Sequence, residues 1–198
     1  IGNFSLLANI VFDSFAELGV TAGGGTMTAA DLLRPGFIAS VGFDAAQPLL
    51  AEISDMLGPI SFFHNFIMIA VMFIAWAIIM IAFFILAVQL FITILEFKLT
   101  TLAGFILVPF ALWNKTTFLA ERVLGNVITS GIKLMVLAVI IGIGSTLFAS
   151  VTDAFRTGTD VTLAQVMGTV LAAIVFFWMG IFAPGVASGL ITGAPQLG

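Results

Sequence analysis

Cysteine is absent from the 198 residues, which excludes disulfides, thiolate metal sites and cysteine nucleophiles. A single histidine, His64, is too little to build an imidazole metal cluster. Charge is scarce too: 8% of the residues are charged, against about 25% in an ordinary soluble domain. No HExxH and no G-x-S occurs, and no carboxylate falls in the central part of a long apolar run. Ser145 follows Gly144, but no histidine can reach it from within a span. The chain is therefore not expected to be an enzyme. No cofactor or metal is expected either, with a bound phospholipid left open.

What is present is apolar: 61% of the residues are hydrophobic. Residues 66–88 carry no polar side chain. At about 1.5 Å per helical residue they cover about 34 Å, against a hydrocarbon layer of about 30 Å. Only helices and closed barrels satisfy their backbone groups in lipid, so this run predicts a transmembrane helix. The expected fold class is all-α, a polytopic transmembrane helical protein.

The organisation expected along the chain is a single membrane domain. Residues 1–19 form the end of a span that begins upstream, and 20–59 a connector outside the membrane. Within the connector Gly23, Gly24 and Gly25 make a break, and Thr28 with Asp31 resembles a capping box. Pro35 and Pro48 argue for short amphipathic helices rather than one long one. Residues 60–97 form a long spanning helix, after the breaker Gly58-Pro59. Residues 125–150 and 161–183 form two more spans, with 151–160 between them. Asp160 caps the last span and Pro184 ends it, leaving a cytoplasmic-side tail over 184–198.

Between these spans, 98–124 is an odd piece. Its apolar stretch 99–113 reaches about 22 Å as a helix, too short to cross. It is re-entrant, interfacial with Trp113 at headgroup level, or a surface helix facing a partner. Charge bias orients the whole. Residues 1–64 hold six acids and Arg34, whereas Lys98, Lys115, Arg122 and Lys133 cluster between the first two full spans. The positive-inside rule places 96–133 in the cytoplasm and 20–59 with 151–160 on the opposite, periplasmic side.

Two polar residues are expected at depth. Lys133 suits snorkelling or lipid-phosphate contact, with a pathway or gating role as the alternative. Gln89 suits an interhelical hydrogen bond. Gly185, Gly189 and Gly193 form a tandem G-x-x-x-G, and Gly142 and Gly144 thin the second full span. Both patterns suit close helix packing within a subunit or between copies.

The blocks at 95–105, 108–116, 119–126 and 193–198 closely resemble the TrbL family of P-type conjugative transfer proteins. These are polytopic inner-membrane subunits of type IV secretion systems. The resemblance implies an assembly or channel component that supports pilus biogenesis and passage of single-stranded DNA with attached protein. It implies a homo-oligomeric ring, a pentamer, in the bacterial inner membrane. Implied neighbours are the minor pilin at the pilus base, the pilin, an envelope-spanning scaffold protein and the assembly ATPase. Nucleic acid is met transiently if at all. Upstream spans and a downstream tail are also implied. The matching cytoplasmic loop makes Glu96, Lys98, Trp113, Lys115, Glu121 and Arg122 candidates for subunit or partner contact. A competing expectation is a secondary transporter or small-solute channel, which calls for inverted repeats and a midplane charged site. Neither feature is visible in the sequence.

Overall fold

The computed structural model describes the chain except residues 1, 26, 108, 111–115, 157–161 and 193–198, and leaves aside the side chains of 2, 152–156 and 190–192. Among the described residues six α-helices follow one another: α1 Gly2–Ala22, α2 Ala29–Leu32, α3 Pro35–Asp55, α4 Ser61–Leu107, α5 Thr117–Arg156 and α6 Leu163–Thr192. No strand is present among the described residues. Four helices, α1, α4, α5 and α6, are long and apolar enough to cross a membrane.

The centre of the molecule is α4. Its 47 residues extend about 70 Å, more than twice the thickness of about 30 Å of hydrocarbon. The other helices are laid along it, and side-chain pairs give their directions. Glu96 meets Lys133 and Phe83 meets Phe148, so α5 runs antiparallel to α4. Phe83 meets Phe176 while Leu86 faces Gly180, so α6 runs parallel to it. Phe12 stacks on Phe97 with ring centroids 3.9 Å apart and Phe4 lies at Gly104, making α1 antiparallel. The short turn after α3 folds it back along the first half of α4, with Gly42 against Phe83 near the middle of that helix. Thus α3 lies beside the first half of α4, whereas α1 packs chiefly on α5 and touches the second half of α4 only at its edge.

The break between α1 and α3 is built from local chemistry. Gly24 and Gly25 take φ values of 106° and 64°, a region open to glycine and costly for other residues. The Gly25 amide donates to the Val20 carbonyl at 2.8 Å, closing the end of α1 in a Schellman-type turn. In the next turn the Asp31 amide donates to Thr28 Oγ1 at 3.2 Å, while the Thr28 amide donates to the Asp31 carboxylate.

Several boundaries differ from those drawn on sequence. The long helix does not stop at 97: α4 runs on to Leu107 and absorbs the first part of the segment read as re-entrant or interfacial. Thr101 Oγ1 donates to the Phe97 carbonyl at 2.9 Å, and Gly104 is covered by Phe4 and Val123, so this stretch is packed helix. The last part of that segment, from Thr117, is the beginning of α5, earlier than the expected 125; 111–115 lie outside the described residues. Pro48 sits inside the 21-residue α3, where the connector was read as short helices. There it removes one amide donor, and burial of Ile38, Gly42, Ala46, Leu49 and Ile53 on one face offsets that loss. Helix α6 likewise continues past Pro184. At its start Thr162 and Gln165 bond reciprocally, Thr162 N to Gln165 Oε1 at 2.9 Å and Gln165 N to Thr162 Oγ1 at 3.4 Å. The cap proposed at Asp160 lies outside the described residues.

Candidate functional site: a polar cavity where three helices meet

Past residue 88 the polar-free run of α4 ends, and the next two turns carry Gln89, Thr93 and Glu96 at four- and three-residue steps. That spacing puts them on one helical face. Opposite them α5 presents Lys133, whose ammonium donates to both carboxylate oxygens of Glu96 at 3.0 and 3.2 Å. The third wall is α6, through Ile181, Pro184, Gly185 and Ser188. Between the walls lies a cavity of about 280 Å³, rimmed by Ile92.

Each wall has a reason to be open there. Pro184 lacks an amide proton and its ring clashes with the carbonyl one turn back, which loosens the α6 ladder at this level. A Cβ added to Gly185 would meet nothing within 4 Å, so this glycine borders space rather than a neighbouring helix of the same chain. Thr93 Oγ1 bonds back to the Gln89 carbonyl at 2.9 Å, satisfying its proton within α4. The Gln89 side chain has no hydrogen-bond partner among the described residues. Lys133 and Glu96 stay 21% and 39% exposed, so the pair is joined but not sealed. A partly exposed ion pair among apolar helices is costly without polar company, so this face suits water, a polar lipid group or another polypeptide.

The structure thus brings together Lys133 and Gln89, and adds Glu96 to them. Sequence reading had assigned Glu96 to a loop surface. The remaining loop candidates are apart from this cavity. Lys98 and Glu121 are exposed, and Arg122 lies over the Phe118 ring with its guanidinium carbon 5.7 Å from the centroid. Trp113 and Lys115 lie outside the described residues.

The glycines divide by what they touch. Gly142 lies on the Gly23 backbone and Gly144 on the Phe176 ring. Gly189 is buried, and Gly193 lies outside the described residues. Close approaches at Gly19, Gly42 and Gly104 were not singled out on sequence, because a glycine's neighbour is unknown until helices are paired. One turn from Lys133, Ser130 is fully buried, and its hydroxyl has no partner among the described residues. No group of histidine, cysteine or carboxylate side chains that could hold a metal occurs among the described residues.

Long apolar helices around an intramolecular ion pair define a multi-pass membrane protein. Residues 1–183 match the family model described as TrbL/VirB6 plasmid conjugal transfer protein, and the chain belongs to that family. Among curated proteins and among solved structures, nothing matches the chain. Membership makes it a conjugal transfer component of the type IV secretion class.

Proposed function

We propose that the chain is a non-enzymatic assembly and channel component of a conjugative type IV secretion system, seated in the bacterial inner membrane. In this reading it supports pilus biogenesis and the transfer of single-stranded DNA with attached protein. It acts by shape and helix packing, as a homo-oligomer in contact with pilin, minor pilin, scaffold protein and ATPase. The supporting observation is the family match over residues 1–183, which includes all of α1–α5 and α6 up to Ala183. Successive directions of α1, α4, α5 and α6 alternate, as a multi-pass topology requires, while α3 lies beside the polar-free run of α4 instead of apart from it as a connector.

Plasmid transfer tests it. Deletion of the gene in its native system should abolish transconjugants and surface pili, and expression of the natural full-length protein in trans should restore both. Undiminished mating by the deletion strain would reject the proposal.

One observation favours a second reading. The Glu96–Lys133 pair beside a cavity is the kind of charged site a small-solute transporter uses. Solute flux through proteoliposomes containing this protein alone would favour that reading over the first.

A further inference from the structure

The cavity between α4, α5 and α6 is bordered by one cation and one anion, and its charge sums to zero. A ligand carrying only negative charge would meet Lys133 but also face Glu96. Water would satisfy both groups, yet Ile92, 54% exposed, and Ile181 make the rim apolar. The complementary ligand is itself a zwitterion with an apolar body.

Depth points the same way. Gln89 to Glu96 occupy about 12 Å of α4 directly past the polar-free run 66–88, where polar side chains return. Lys133 reaches that level from α5 and Ser188 from α6.

We propose that this cavity binds the headgroup of a zwitterionic phospholipid, an aminoethyl phosphodiester. The phosphate accepts hydrogen bonds from Lys133 and from the unpartnered Gln89 amide, and the lipid ammonium donates to Glu96. Ile92 and Ile181 flank the glycerol and the first acyl methylenes. Binding exchanges one ion pair for two, each charge-assisted on both sides, without leaving a charge uncompensated. The gap beside Gly185, where no Cβ intrudes, leaves room for the head. This inference needs the helices to be membrane spans, but it does not depend on the part the chain plays in conjugation.

The test is lipid retention by the purified full-length protein, read by native mass spectrometry. Phosphatidylethanolamine, phosphatidylglycerol and soluble O-phosphoethanolamine are the probes. The wild type should retain phosphatidylethanolamine about tenfold over phosphatidylglycerol, as loss of one charge-assisted contact implies. Glu96→Gln should erase that preference, because the site then carries a free cation. Lys133→Gln should weaken retention of both lipids about tenfold. The paired neutral variant, Glu96→Gln with Lys133→Gln, leaves no uncompensated charge in the fold and should also lose phosphatidylethanolamine. Equal retention of the two lipids by the wild type would overturn the proposal, and this measurement requires no variant. Undiminished retention by the paired neutral variant would overturn it as well. So would displacement of the lipid by soluble O-phosphoethanolamine at equal concentration, since the apolar flank would then contribute nothing.

Discussion

The two halves of α4 are held in different ways. Beside α3 and α6, the first part, through Leu90, buries Met72, Ala75, Ile79, Ala82, Phe83, Leu86, Ala87 and Leu90. Beside α1, the second half buries Thr93, Phe97 and Gly104 among the described residues. Phe83, Phe148 and Phe176 form a three-ring cluster in the first region, with centroids 4.9–6.0 Å apart. In the second, helices approach where side chains are missing: α4 meets α1 at Gly104 against Phe4, and α1 meets the neighbouring α5 at Gly131 against Phe15 and Gly19 against Ala138. A stacked Phe12–Phe97 pair and the Glu96–Lys133 bridge complete it. One region is thus specified by bulk and the other by its absence plus a charge pair. Lipid is as apolar as leucine, so packing and polar contacts, rather than escape from water, must decide both.

Four substitutions probe that contrast, each read as thermal unfolding of the detergent-solubilised protein. Phe83→Ala should be the most damaging, by about 3–5 kcal/mol, because it empties the centre of the ring cluster. A smaller loss than at the glycine contacts would mean that bulk is not what holds the first region. Gly142→Val should cost about 1–3 kcal/mol or more, since its Cβ would run into the Gly23 backbone, which cannot rotate away. Stability equal to wild type would show that α1 can slide off α5. Lys133→Gln should lie between the ~1 kcal/mol of surface pairs and the ~3–5 kcal/mol of buried ones, near the lower end given its partner's exposure. Restoration of stability by adding Glu96→Gln would assign the loss to the stranded carboxylate. Gly125→Ala should be smallest and opposite in sign, a gain of about 0.5–1 kcal/mol, because nothing lies within 4 Å of the added methyl. A loss there would reveal a neighbour from outside the chain.

Much of this was legible in the sequence. The polar-free run at 66–88 announced a spanning helix, and the all-α membrane class followed from it. The Thr28–Asp31 box and the glycine break beside it were readable from spacing alone. Lys133 and Gln89 stood out because so few polar residues compete for attention. Their convergence with Glu96 did not show, since a carboxylate 37 positions from its lysine is paired only by the antiparallel docking of α4 and α5. Helix ends were the weak point. Proline was read as a stop at Pro48 and Pro184, yet both are inside helices whose flanking turns are held by neighbours. The stretch after Glu96 was too short to cross on its own, but it is the end of a longer rod.

That rod has a mechanical meaning. Among the described residues α4 has no proline, and no interruption separates Ser61 from Leu107. Of its companions α5 is likewise unbroken, whereas the others are jointed, at the glycine turn between α1 and α3 and at Pro184 in α6. A continuous helix of this length has no built-in hinge between Leu107 and Ser61. The jointed helices can give way around it, as a stiff axle turns inside segmented bearings.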